Sequence, residues 1–169
     1  MDVTIGGCMV NILAHADDLV LLAPSWRALQ LLLDKLYSIA NHVDMICSSS
    51  KTVCMVVNPK QGCNMVAYQF PNFMVDNAIL KFVNECKYLG HVVSNSQLDD
   101  ADIHRERKTL FYRCNMLTRR FSICPVAVKL QLFKTFCLCF YDIGLWCNFT
   151  SGTFAKLQSA YLKCVKIFS

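Results

Sequence analysis

The sequence has no Cys-x-x-Cys pair, although it carries 11 cysteines in 169 residues. Its closest cysteines, Cys137 and Cys139, have one residue between them and no pair of histidines nearby. A structural zinc site draws on such ligand sets, so the pattern argues against one. The first residues, Met1-Asp2-Val3-Thr4, lack the basic start and long apolar run of a secretory signal. A secreted disulfide scaffold is therefore not expected. The cysteines read as reduced thiols packed as small hydrophobes. The expected location is intracellular, with cytoplasm and nucleus both open. The sequon Asn148-Phe149-Thr150 carries no meaning without secretion.

A membrane span is also missing. The most apolar stretch, Phe136 to Cys147, is interrupted by Asp142 and Gly144 and is too short to cross a bilayer. It is expected to be a buried helix end. Repeats and low-complexity tracts are absent. What is present is a hydrophobic content of 54%, which argues against disorder and supports one modest domain with a core. So high an apolar fraction in a short chain also suits surfaces that face other parts of a larger protein. The net charge of +5 permits a nucleic-acid partner without requiring one.

The chain opens with the pattern of a β-hairpin. Gly6-Gly7 breaks an initial strand, and Cys8 to Ala14 and Leu19 to Ala23 are apolar runs around the polar tip His15-Ala16-Asp17-Asp18. Ser25 is a good N-cap for a helix ending near Asn41-His42, with Trp26, Leu29, Leu33, Leu36 and Ala40 on one face. The loop Ser48 to Thr52 leads into a strand over 53–57, and Asn58 to Gly62 is a turn cluster. Strands are expected over 66–70, 73–75, 79–83 and 87–93, the last with Gly90 at a bend. From residue 98 the texture is helical. Asp99, Asp100 and Asp102 place negative charge at a helix start, where the macrodipole favours it. Helices are predicted over 99–121, 126–139 and 153–168. The fold class is α+β, a β-rich part with one helix over 1–97 and a helical part over 98–169.

Asp17 and Asp18 are adjacent carboxylates in an apolar setting. They repel each other, and burial would raise that cost. A divalent cation would neutralise them, and nucleotidyl transfer uses such a site. Taken alone, such a pair is usually an ordinary solvated acidic turn. The surrounding residues add a family resemblance. Ala16-Asp17-Asp18-Leu19-Val20-Leu21-Leu22-Ala23 resembles the aromatic-x-Asp-Asp box of reverse transcriptases, in the form found in non-LTR, LINE-type retrotransposons. Ser50-Lys51-Thr52-Val53-Cys54-Met55 is similar to that family's lysine motif. Lys87-Tyr88-Leu89-Gly90-His91 resembles its strand motif at the primer end, and Asp99 to Trp146 its helical region after the palm.

The resemblance implies a partial palm, an antiparallel hairpin and sheet with a packed helix, followed by a helical, thumb-like segment. It implies Mg²⁺ held by Asp17 and Asp18, and Lys51 near the incoming triphosphate. His15, Tyr88, Leu89 and Gly90 would lie at the primer, with Arg105 and Lys108 on the nucleic-acid backbone. RNA template and DNA primer are the implied partners, with no membrane. Two positions depart from the family pattern: His15 stands for an aromatic residue and Ser48 for an asparagine. The family's third metal-binding Asp and its fingers precede the Asp-Asp box, and the residues before His15 are too few to supply them. The chain by itself is therefore expected to be inactive. The rival expectation is a retrotransposon-derived binding module without catalysis, whose exposed apolar surface meets nucleic acid, the missing part of the polymerase or a second copy. The basic residues of the helix over 99–121 read at least as well as a solvated face, and core packing is the default reading of Trp146 and Phe149.

Overall fold

The computed structural model describes residues 3–57, 70–76, 78–141 and 143–168. It is a mixed α and β fold whose contacts group into two compact units, Met1–Cys54 with Pro59–Val83, and Met55–Asn58 with Asn84–Ser169.

The first unit starts with β1 (Thr4–Ile5) and β2 (Cys8–Met9), paired antiparallel across Gly6-Gly7. Both glycines have positive φ, 57° and 83°, which suits a two-residue turn of type I′. They turn the chain rather than merely ending a strand. The apolar run from Cys8 to Ala14 is then cut near Asn11, and β3 (Ile12–His15) begins a second hairpin with β4 (Asp18–Leu21). Helix α1 (Trp26–His42) follows the expected span, and the Ser25 hydroxyl accepts the Ala28 N–H at 3.3 Å. That cap satisfies one of the N–H groups that a helix start leaves without a partner.

Four short strands complete this unit: β5 (Val53–Cys54), β6 (Met74–Val75), β7 (Ala78–Ile79) and β8 (Lys81–Phe82). The strand expected over 53–57 stops at Cys54. The one expected over 79–83 is split at Leu80, whose N–H turns away to donate to the Phe73 carbonyl at 2.8 Å. The predicted turn over 58–62, and all but the last residue of the strand over 66–70, lie outside the described residues. Gln30 of α1 acts as a surrogate strand: its amide donates to the Met74 carbonyl at 3.1 Å and accepts from the Met74 N–H at 3.2 Å. Leu33 packs with Cys54, Phe73, Val75 and Leu80 to form the core, and Leu21, Leu29 and Tyr37 close over it. Each fully buried aliphatic or aromatic side chain there contributes about 1.5–3 kcal/mol.

The expected antiparallel sheet takes a different form. The described strands make five separate two-stranded ladders, and the β5–β8 ladder is parallel. Strands of two to four residues offer too few ladder bonds to recruit further neighbours.

The second unit holds β9 (Glu85–Tyr88), β10 (His91–Ser94), α2 (Asp100–Arg120), α3 (Val126–Phe136), a 3₁₀ turn (Ile143–Leu145) and α4 (Ser151–Phe168). The strand expected over 87–93 is in fact a hairpin that reverses at Leu89-Gly90. This hairpin groups with the helices, on the near side of the boundary expected at 97. One face of α2 carries Ile103, Leu110, Cys114 and Leu117, and α4 answers with Leu157, Ala160, Cys164 and Phe168. Cys114, Ala160 and Cys164 are small and share one core cluster with Leu110 and Phe133, which suits closely packed helices. Burial pushes the Cys164 thiol up to about 12 and Cys137 up to about 11, so both stay protonated and behave as small hydrophobes. The stretch from Phe136 to Cys147 is not a buried helix end. Helix α3 stops at Phe136, and Phe136, Tyr141 and Leu145 are exposed while Cys137 and Trp146 are buried. No helix among the described residues is long and apolar enough to cross a membrane.

Candidate functional site

The β3–β4 register pairs Ile12 with Leu21, Leu13 with Val20, Ala14 with Leu19 and His15 with Asp18. Only Ala16 and Asp17 remain in the loop. Ala16 has φ 52° and is the only one of the two at positive φ, the pattern of a type II′ turn. A Cβ is poorly tolerated there, so the tip carries local strain that glycine would avoid. The register puts His15 and Asp18 on the same face, with Asp17 at the apex. All three are exposed. Water screens the two carboxylates, so their proximity does not itself require a cation. Among the described residues no group of three His, Cys, Asp or Glu side chains could hold a metal. Two carboxylates do not fit a complete Mg²⁺ site of the two-metal kind.

Lys51 is exposed, in a braced loop of the same unit. The Ser48 carbonyl accepts the Lys51 N–H at 3.2 Å, the Thr52 N–H at 3.0 Å and the Thr52 hydroxyl at 2.8 Å. Those bonds fix the backbone and leave the lysine side chain in solvent.

Tyr88, Leu89 and Gly90 form the tip of the β9–β10 hairpin, where Tyr88 pairs with His91. Leu89 and Gly90 have φ 48° and 93°, so both central residues are left-handed, as a type I′ turn requires. Glycine adopts that conformation freely, whereas leucine does so at a cost. Leu89 is nevertheless 51% exposed at the tip.

Just behind its tip, this hairpin is held by a carboxylate whose place in the sequence suggests only a helix-end charge. Asp102 is fully buried. Its Oδ1 accepts the Val92 N–H at 2.9 Å and the Arg105 Nε–H at 2.7 Å, and its Oδ2 accepts the Trp146 Nε1–H at 2.9 Å. Burial alone would raise the carboxyl pKa, but the donors Arg105, Trp146 and Val92 and the guanidinium charge outweigh it and hold the group below its usual range. His91 Nδ1 lies 3.1 Å from Asp102 Oδ2 without hydrogen-bond geometry, and its Nε2 is 3.8 Å from Asp99 Oδ1. Arg105 also meets Glu106 Oε1 at 2.8 Å. The neighbouring acids anchor too. Asp99 Oδ2 accepts the N–H groups of Cys147 and Asn148, both at 2.8 Å, and Asp100 Oδ1 accepts that of Thr150 at 2.9 Å.

Of the two basic residues assigned to the nucleic-acid backbone, Lys108 is exposed, and Arg105 is engaged with Asp102 and Glu106. The sequence did hold a signal for the buried network. Glu106 sits on the apolar stripe between Ile103 and Leu110, and a core Trp needs an acceptor for its indole N–H.

Comparison with known proteins gives one informative relative. Over 91 residues the chain is 37% identical to the retrovirus-related Pol polyprotein from type-2 retrotransposable element R2DM of Drosophila melanogaster. Over that stretch the chain is similar to a retrotransposon polyprotein. The match covers 51% of this chain and 8% of that polyprotein, so the chain spans a small part of its relative. No family model matches. No solved structure matches either.

Proposed function

We propose that this chain is a segment of a non-LTR retrotransposon reverse transcriptase, an RNA-directed DNA polymerase. It would comprise the part of the palm that bears the Asp-Asp hairpin and the thumb-like helices that follow. The observation that carries the reading is the two-residue turn that presents Asp17 and Asp18 at the end of a short antiparallel hairpin. The retrotransposon relative supports it independently. In this reading Asp17 and Asp18 are two of the carboxylates for Mg²⁺, and Lys51 serves the triphosphate. His15 and the Tyr88–Gly90 tip lie at the primer, with Lys108 on the duplex backbone. A further carboxylate must come from elsewhere before a two-metal site is complete. The chain on its own is therefore inactive in polymerisation.

Primer extension tests this directly. The purified chain, supplied with Mg²⁺ or Mn²⁺, should incorporate no more nucleotide than its Asp17→Asn variant. Incorporation above that control would refute the inactivity. The same preparation should bind an RNA–DNA duplex with an affinity that falls steeply with salt, because bound lysines and arginines release counterions. No duplex binding would refute the family reading itself. A binding module without catalysis is the second reading. It draws on the acidic hairpin being apolar and open on both faces, with Ile12, Leu13 and Leu19 between 40% and 50% exposed. Self-association without duplex affinity would favour it.

A further inference from the structure

The second unit carries a groove of about 660 Å³ along the amino-terminal halves of α2 and α4. His104, Arg107 and Lys108 line it from α2, and Lys156 lines it from α4. Arg105 reaches it as well, but its charge is balanced by Asp102 and Glu106. Two carboxylates also border the groove, Glu85 from β9 and Asp100 from α2. Asp100 is already occupied with the Thr150 N–H at 2.9 Å and the Thr150 hydroxyl at 3.2 Å. Three cations thus converge on one concave wall. Such a wall focuses positive potential and attracts polyanions.

His104 sits among these cations. The Arg107 guanidinium lies 3.1 Å from His104 Nδ1, which must therefore accept rather than donate. Partial burial, followed by the charges of Arg107, Lys108 and Lys156, holds the imidazole below its usual pKa. The same charges disfavour the imidazolium in the free chain. An anion entering the groove would offset these charges and draw the Arg107 guanidinium off Nδ1, leaving that nitrogen open to a proton.

We infer that this groove binds a phosphodiester backbone and that His104 takes up a proton as the phosphate arrives. The choice of a nucleic-acid duplex as occupant rests on the polymerase reading. The convergence of Arg107, Lys108 and Lys156 around a histidine does not. The sign follows from linkage: the bound-state pKa of His104 is higher than the free one, so affinity rises as pH falls through the bound value and levels off below the free value. The other groups facing His104 sharpen this expectation. They are the cations Arg107, Lys108 and Lys156 and the carboxylates Glu85 and Asp100.

The test measures binding of the full chain to a labelled RNA–DNA duplex by fluorescence anisotropy between pH 5.5 and 8. Lys108→Ala with Lys156→Ala should weaken binding about tenfold near 0.1 M salt and lower the salt slope by about two. The control is Arg119→Ala with Arg120→Ala, which removes the same charge from the exposed far end of α2, outside the groove. Circular dichroism checks that all variants remain folded. Equal losses in the two double variants would show diffuse attraction and overturn the groove as a site. His104→Gln should bind like the parent at pH 8 and lose the gain at pH 6. A pH-independent parent, or a pH gain that survives in His104→Gln, would overturn the proton uptake. If the unaltered chain binds no duplex at all, the polymerase reading falls as well. Binding that ignores the groove variants sinks only this inference.

Discussion

The two hairpins that bear the motif residues are built alike and held differently. Each reverses in a two-residue turn with a non-glycine residue at positive φ, Ala16 in one and Leu89 in the other. The β3–β4 hairpin is attached through its base, where Leu21 packs on the core. Among the described residues no side-chain hydrogen bond reaches its strands. The β9–β10 hairpin is tied to α2 through the Val92 N–H and the fully buried Asp102, and α2 is tied through the same carboxylate to Trp146. Residues that advertise chemistry at a tip need not be those that fix the tip in space. The acidic hairpin is open to whatever completes it, whereas the second is committed to its own unit.

Asp102 gives the largest way to break this contrast. In Asp102→Ala the Val92 and Trp146 N–H groups and the Arg105 guanidinium lose their shared acceptor. Removing one partner from a buried, hydrogen-bonded charge pair costs about 3–5 kcal/mol. Urea unfolding followed by Trp146 fluorescence, in a Trp26→Phe background, should show a loss of that order in the second unit. A loss below about 1 kcal/mol, the scale of an ordinary surface change, would mean the network contributes no anchoring. Acid provides an independent reading. The folded-state pKa of Asp102 lies below its ordinary value of 3.8, so its contribution is fully present above that value. It is lost as pH falls through the depressed folded value. The gap between parent and Asp102→Ala should stay constant from pH 7 to about 5 and narrow below about 4.

A smaller effect, with the opposite sign, is expected at Leu89. Its side chain is 51% exposed and its φ is 48°, so it pays for a left-handed conformation with little burial in return. Leu89→Asn should stabilise the second unit by roughly 0.5–1 kcal/mol, because asparagine tolerates that region and completes the Asn-Gly sequence preferred in type I′ turns. Destabilisation would show that Leu89 packs against something its exposure does not reveal.

The contrast also explains what the sequence could convey. Periodicity located α1 and α2, because each must bury one stripe: Leu33 and Ala40 in α1, and Leu110, Cys114 and Leu117 in α2. Ser25 marked its helix start through a local bond to Ala28. Strands fared worse. Lys87 to Val93 reads as one strand bent at Gly90, and the full reversal depends on Leu89 accepting a positive φ that composition does not announce. Lys51 and Tyr88 stand out by resemblance alone, and Asp17 and Asp18 also as adjacent carboxylates in an apolar setting. Asp102 does not, because its partners lie 10 residues back at Val92 and 44 residues ahead at Trp146. An acidic run before a helix looks like dipole compensation until a distant indole arrives to claim one member.

The smallest expected effect is at Asp17, and its smallness is the point. Asp17 is exposed at a turn, and no third metal-binding side chain joins it and Asp18 among the described residues. Asp17→Asn should leave the urea midpoint of the first unit unchanged. Millimolar Mg²⁺ should not move that midpoint in the parent either, because a ligand stabilises the folded state only when its concentration exceeds its dissociation constant. Two solvated carboxylates bind too weakly to meet that condition. A Mg²⁺-dependent rise in the parent that vanishes in Asp17→Asn would overturn the argument. It would mean that the acidic hairpin recruits further ligands within this chain, and that the tip which looks least anchored is fixed by its metal.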